Sequence, residues 1–349
     1  MRRRRRRFAS RHRPSAAWTV QNGAVRVIVF GAGAIGGVIG SRLFEHGFEV
    51  VLIARGEHFE AIRERGLRLE TPDGARTLPI PVVEMPSQVS FRADDIVLLA
   101  TKSQDTAAAL GSLAPEIPRD TPVVSAQNGV ENEPAALRHF SRVYGVCVMC
   151  PAAFAHPGAV QAYSSPVTGI LDTGRYPNGS DEVAESLAAA FRASTFLSEA
   201  RTDIMRWKYA KLLMNLSNAI EAICGPAARR GPLSQIVKHE GIACLEAAGI
   251  DFVSEKEDAA RRADHIRIDP IGSDRRAGGS SWQSLLRRTG TIETDYLNGE
   301  IVLLGRQYGI PTPANELLQR LANRMAFEKK APGSIEADEV VAQLDRGIG

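Results

Sequence analysis

The chain has 349 residues, 44% of them hydrophobic, with 43 Lys+Arg against 40 Asp+Glu and a formal net charge of +3. That length and apolar content exclude a chain disordered throughout and, at roughly 100–200 residues per domain, point to two domains. The charge is uneven: residues 1–24 hold eight arginines (Arg2 to Arg7, Arg11 and Arg13) and no acid, so the remainder carries 35 basic against 40 acidic residues, the balance of an ordinary soluble protein.

The arginine-rich segment 1–24 reads as a disordered extension or an over-called start. A membrane anchor is not expected, because the stretch 27–39 has about a dozen apolar residues, short of the ~20 that span a bilayer. A transit peptide of this composition would also be amphipathic. A nucleic-acid partner is not expected either: aromatics make up 6% of the chain, and no basic cluster recurs with them in the body.

A strand is expected over 25–30, followed by Gly31, Ala32, Gly33, Ala34, Ile35 and Gly36, a helix reaching Gly47, and a second apolar strand over 48–54. This is one βαβ unit, with a GxGxxG turn in the strand-to-helix context that gives the pattern its meaning. Gly31 permits the tight turn, Gly33 lets the backbone approach a diphosphate, and Gly36 lets helix pack closely on strand. The diphosphate would rest on the exposed N–H groups and positive dipole end of the helix. The second strand leads into Arg55 rather than the Asp or Glu that accepts from an NAD ribose. An arginine there attracts a 2′-phosphate, so NADP(H) is the expected cofactor.

Strands over 95–100 and 121–126, with a helix near 106–113 between them, extend a parallel sheet covered by helices on both faces. Ligands bind outside the carboxyl ends of such strands. The loops there are Thr101-Lys102-Ser103, whose Lys102 suits a ligand better than a core, and Gln127-Asn128-Gly129, whose Asn128 can bond cofactor or substrate. Cys147 and Cys150 have CxxC spacing but neither a second pair for zinc nor a thioredoxin-like context. With Cys224 and Cys244 they read as buried thiols in a reducing, cytoplasmic setting, and no metal is expected.

After about residue 202 the pattern becomes helical, over 204–223, 233–248, 281–308 with an interruption near 289–291, and 317–327, while 251–279 holds one helix and then an exposed loop. On the first helix, at roughly 100° per residue, Asn215 lies about 40° to one side of Lys211 and Asn218 about 20° to the other, which makes one polar stripe. Partial burial would lower the Lys211 pKa and make it a usable proton donor near neutral pH; the alternative is a solvated lysine on an ordinary amphipathic helix. Lys208 competes for the role. Glu293 is expected in the first turn of a helix, where the dipole keeps a carboxylate ionised, and Ser281 is either a site residue or a cap. The resulting division is an arginine-rich extension (1–24), a Rossmann-type α/β domain (25–201), an all-α domain (202–330) and a C-terminal tail (331–349), with a cleft between the two domains.

The glycine turn, Thr101-Lys102, Gln127-Asn128-Gly129, Lys211 with Asn215, Ser280-Ser281, the run from Glu293 to Gly299 and the run from Gly309 to Pro313, in this order, resemble the ketopantoate reductase family, whose helical domain is 6-phosphogluconate dehydrogenase-like. The resemblance covers residues 25 to about 327. It implies NADPH-dependent reduction of 2-dehydropantoate to (R)-pantoate, on the route to pantothenate and coenzyme A, with a 2-oxo acid as small-molecule partner and a homodimer left open. It further implies Lys211 as general acid and Glu293 as the carboxylate that orients substrate hydroxyl and lysine. Asn128, Asn215 and Ser281 become substrate contacts, and Lys102 spans cofactor and substrate. The family pattern puts a second asparagine at position 219, which is Ala219 here; either Asn218 replaces it from the same side or the pocket differs. Two alternatives follow: a paralogue acting on another branched 2-oxo acid or ketone, and a non-catalytic NADP(H)-binding regulator. The joint retention of Lys211, Asn215, Ser281 and Glu293 argues against the regulator.

Overall fold

The computed structural model describes residues 25–273 and 276–347, so the arginine-rich segment lies outside the described residues. The first half contains, in chain order, β1 (Arg26–Phe30), α1 (Ala34–Glu45), β2 (Glu49–Ile53), α2 (Gly56–Arg65), β3 (Leu67–Thr71), β4 (Gly74–Leu78), β5 (Val82–Val83), β6 (Asp95–Leu99), α3 (Thr106–Leu113), β7 (Val123–Ser125), α4 (Asn132–Leu137), β8 (Val143–Met149), β9 (Ala152–His156), β10 (Ala159–Ala162), β11 (Gly169–Arg175), α5 (Glu182–Ala193) and β12 (Phe196–Leu197).

Eight of these strands form one sheet in the order β12-β11-β8-β7-β6-β1-β2-β5. All its neighbours are parallel except β8 and β11. The continuous apolar runs of β1 and β6 explain this burial, because alternate side chains serve opposite faces. Val27 and Val29 pack with Val38 and Leu43 of α1, whereas Ile28 joins Leu110 and Leu113 of α3 on the other side. Strand β1 lies between β2 and β6, so the order reverses there and opens a crevice at the strand carboxyl ends.

A second sheet, β4-β3-β10-β9, was not anticipated. It lies against the outer side of α1, where Gly37 makes room for Val160: a Cβ on that glycine would stand 2.8 Å from Val160 Cγ1.

The second half is helical, as expected: α6 (Ile204–Asn215), α7 (Ser217–Cys224), α8 (Pro232–Ala247), α9 (Glu255–Arg262), α10 (Ser280–Leu286), α11 (Asn298–Tyr308), α12 (Pro313–Phe327) and α13 (Ala337–Asp345). Its core joins Leu212, Ile220, Val237, Ile301, Leu317 and Leu318, and Val340 of α13 brings the segment after residue 330 into that core. Two expected helices are subdivided. The helix expected over 204–223 becomes α6 and α7, which meet at Leu216, whose carbonyl accepts a hydrogen bond from Asn298 Nδ2 at 3.2 Å. A side chain intruding on the backbone ladder interrupts a helix in this way. The helix expected over 281–308 becomes α10, a four-residue 3₁₀ turn (Glu293–Tyr296) and α11.

The halves are joined firmly. Asp172 of β11, buried, accepts from Arg261 of α9 at 2.8 and 2.6 Å and from Arg201 at 3.1 Å. Among the described residues no helix is long and apolar enough to cross a membrane. The four cysteines are free thiols; burial is the main reason that Cys147 and Cys150 are each pushed up to about 12.

Candidate active site

The turn after β1 is shaped by its glycines. Gly31 has φ +104°, and a Cβ there would stand 2.8 Å from Thr101 N. A Cβ on Gly36 would stand 2.1 Å from the Gly31 carbonyl oxygen and 2.8 Å from Ala100 Cβ, so Gly36 serves packing beneath the turn. Gly33 differs, because nothing lies within 4 Å of its Cβ position. That open space faces the start of α1, where backbone N–H groups lack helical partners.

A cavity of about 590 Å³ opens there. Gly31 to Ile35 line one side, with Arg55, His58, Lys102 and Asn128 around them, and Arg287, Thr289 and Glu293 line it from the helical half. Its size and its open glycine suit a dinucleotide. Arg55 caps the start of α2 without a side-chain cap bond; its side chain is 81% exposed and meets Asp105 Oδ1 at 3.2 Å.

Glu293 is buried, and its carboxylate is held by the other half of the chain. Lys102 Nζ lies 3.1 Å from Oε2, while the Ser103 N–H and Oγ each donate to Oε1 at 2.9 Å. These charge-assisted bonds, rather than the dipole of a full helix, hold the carboxylate, since Glu293 opens only a 3₁₀ turn. Asn215 Nδ2 donates to Asn128 Oδ1 at 3.2 Å, a second polar link across the cleft.

The two lysines of α6 have separate environments. Lys208 is buried, donates to the Gln127 carbonyl at 3.0 Å and forms an ion pair with Glu133. Lys211 forms no hydrogen bond or ion pair among the described residues. Burial pulls its pKa down from the ordinary 10.5, against the opposing pull of Cys147 and Asp258.

Asn218 on α7 and Ser281 on α10 are both buried. The loop leading to α10 is pinned to α7, since Gly279 N–H donates to Glu221 Oε1 at 3.1 Å and Glu221 also pairs with Arg229. A Cβ on Gly279 would stand 3.6 Å from Asn218 Oδ1, so the start of α10 sits beside Asn218.

The family model described as Ketopantoate reductase PanE/ApbA matches residues 27–173, and its C-terminal counterpart matches residues 203–326. The chain belongs to the ketopantoate reductase family. It is 32% identical to the 2-dehydropantoate 2-reductase of Pyrococcus horikoshii over 85% of this chain and 96% of that one. Among solved structures it is similar to a PanE/ApbA family ketopantoate reductase from Ralstonia eutropha JMP134, with 31% identity, a TM-score of 0.72, and 87% of this chain and 99% of that one covered. The D-mandelate dehydrogenase solved with NADH and anilino(oxo)acetate shares the fold at 23% identity, with a TM-score of 0.75 over 87% of this chain and 99% of that one. The chain is therefore an oxidoreductase with the fold of this family.

This member of the family brings Gly31, Ala32, Gly33, Ala34, Ile35, Arg55, Lys102, Asn128 and Glu293 to one cavity, with Asn215 attached through Asn128. Lys211, Asn218 and Ser281 are not part of that cavity's lining. The Glu293 carboxylate is bonded to Lys102 and Ser103 of the loop after β6, and no direct bond to Lys211 is formed among the described residues. Lys208 is withdrawn from candidacy by Glu133.

Sequence reasoning missed four residues. Ser103 was overlooked beside Lys102, although it binds the same carboxylate. Gln127 donates to Thr101 O at 3.0 Å and Thr106 Oγ1 at 2.8 Å, leaving its own Oε1 buried without a partner in the cavity wall. Its place beside Asn128 was the available signal. Arg287 and His58 carried none, being a charged residue near a helix end and a lone histidine.

Proposed function

We propose that the chain reduces 2-dehydropantoate to (R)-pantoate with NADPH, in the cytoplasm, on the route to pantothenate and coenzyme A. The observation that carries this reading is the single cavity in which the glycine turn of one half faces Glu293 of the other. Bound NADPH supplies the hydride.

The chain's own residues do the rest. The start of α1 takes the diphosphate, and Arg55 takes the 2′-phosphate. The exposed Arg55–Asp105 pair is worth little in water, so its guanidinium is readily redirected to a dianion that accepts two charge-assisted bonds. Asn128, Asn215, Asn218 and Ser281 orient the 2-oxo acid. Negative charge grows on the carbonyl oxygen during reduction, and Lys211 stabilises it and delivers a proton there. Lys102 and Ser103 fix the Glu293 carboxylate so that it can receive the substrate hydroxyl.

Ala219 favours a second reading. It is 1% exposed within the helical core, where the family pattern has an asparagine, and a less polar pocket would suit another branched 2-oxo acid. Steady-state NADPH oxidation with 2-dehydropantoate and a panel of 2-oxo acids, an aryl one included, decides between them. The first reading expects the highest kcat/KM with 2-dehydropantoate; a tenfold preference for another acid selects the second, and no turnover with any overturns both. In the same assay Arg55→Ala is expected to lower the NADPH-over-NADH preference by roughly 10- to 100-fold, the value of one charge-assisted bond. An unchanged preference removes Arg55 from the role.

A further inference from the structure

His58 occupies the first turns of α2, three residues beyond Arg55, and lines the same cavity. Both of its ring nitrogens are committed. Nε2 lies 2.8 Å from the Ala32 carbonyl oxygen, and Nδ1 lies 2.9 Å from the Gly158 nitrogen. A carbonyl only accepts and a backbone N–H only donates, so Nε2 carries the proton and Nδ1 the lone pair. The imidazole is thus held neutral in one tautomer. Phe154 meets the ring edge-on, with centroids 4.9 Å apart.

The two backbone groups come from different parts of the molecule. Ala32 stands between Gly31 and Gly33 in the turn that opens onto the cavity, and Gly158 forms the turn between β9 and β10 of the second sheet. Gly158 has φ +83°, and a Cβ there would stand 2.9 Å from Ala61 Cβ, so this turn is seated closely on α2. His58 therefore ties the glycine turn to a rigid abutment formed by α2 and the second sheet.

We propose that His58 is a positioning residue that fixes the Ala32 carbonyl, and through it the Gly31–Gly33 backbone, in the conformation that receives the cofactor diphosphate. The inference rests on the proposed dinucleotide site. Without the imidazole, the Ala32 oxygen loses its donor, and the turn samples other conformations before ligand arrives. Binding then carries the cost of ordering it. No proton moves through His58, so the chemistry on bound substrate is untouched.

NADPH fluorescence titration of the full chain tests this, with steady-state kinetics in parallel. His58→Ala is expected to raise the NADPH Kd about tenfold, the effect of one lost backbone-anchoring bond, while kcat at saturating NADPH and KM for the 2-oxo acid stay within twofold. His58→Gln, whose amide nitrogen can take the Nε2 place and donate to Ala32, is expected to recover the Kd to within about threefold of the parent. His58→Asn, suited to the Nδ1 place alone, is expected to bind as weakly as His58→Ala. A general loss of stability would not sort Gln from Asn in this order. Imidazole ¹⁵N shifts of the unmodified protein are expected to show the Nε2–H tautomer with and without NADPH. An alanine variant with unchanged Kd, rescue by Asn rather than Gln, or the Nδ1–H tautomer would each overturn the proposal. Absence of NADPH binding by the parent protein would instead overturn the dinucleotide reading itself.

Discussion

Lys211→Met is expected to lower kcat by about 10²- to 10⁴-fold, the usual contribution of a positioned proton donor, with little change in NADPH affinity. The lysine is absent from the lining of the dinucleotide cavity, so its removal leaves that surface intact. The same variant should melt at a higher temperature at pH 7. Lys211 has no ion-pair partner among the described residues, and burial disfavours its charged form, so folding works against the ammonium and an apolar side chain in its place removes that cost. Linkage gives the sign: unfolded Lys211 titrates near its ordinary 10.5 and folded Lys211 below that, so between these values the unfolded chain binds more protons. Stability of the parent therefore rises with pH across that window, and the melting advantage of Lys211→Met shrinks. Parent kcat falls as pH climbs through the lowered pKa, because the acid is lost. Undiminished turnover by Lys211→Met would remove the lysine from the mechanism.

Lys208→Met, three residues away, is expected to behave oppositely and to cost about 3–5 kcal/mol of stability in urea unfolding. Glu133 is fully buried, and burial pushes its carboxyl up from the ordinary 4.5 against the pull of Lys208. Removing Lys208 leaves that group uncompensated and takes the donor from the Gln127 carbonyl. Gly145 packs against both partners, with a Cβ position 3.1 Å from Glu133 Oε1 and 3.2 Å from Lys208 Cδ, so little relaxation is available. Folded Glu133 in the variant binds a proton more readily than unfolded Glu133. The deficit should therefore be smallest near pH 4.5 and grow as pH rises. Lys208→Met combined with Glu133→Leu should recover most of the loss, since a buried pair is often replaceable by apolar side chains of similar volume. A single variant as stable as the parent would show the pair to be dispensable.

These two lysines mark the limit of what the sequence reveals. Periodicity puts both on one helix, but only the tertiary contact with Glu133 separates an anchor from a free amine. The βαβ unit was legible because its pattern is local, with strand, glycine turn and helix following one another in the chain, whereas the atoms that crowd Gly31 and Gly36 include Ala100, which only the fold brings to the turn. The second sheet was not, since β4 is mostly exposed and lacks an apolar period, and β3 finds its partner β10 about ninety residues later, with Leu69 opposite Val160. The interruption at Leu216 depends on Asn298, 82 positions away. Glu293 was recognised as a site residue, yet its partners lie 190 and 191 positions distant, beyond any pattern of spacing.

The bonds that cross the cleft bear on how such chains can be recombined. Lys102 and Ser103 hold Glu293, Asn128 meets Asn215, and Lys208 anchors the carbonyl of Gln127. Each pair takes one member from the loops of the first half and one from the helical half. The halves are accordingly not interchangeable modules: a chimera that joined this glycine turn to a relative's helical half would inherit a cavity whose opposing wall answers to different loops. Substitutions at these positions are expected to be tolerated in matched pairs rather than singly, so the boundary near residue 202 divides the chain by architecture but not by inheritance.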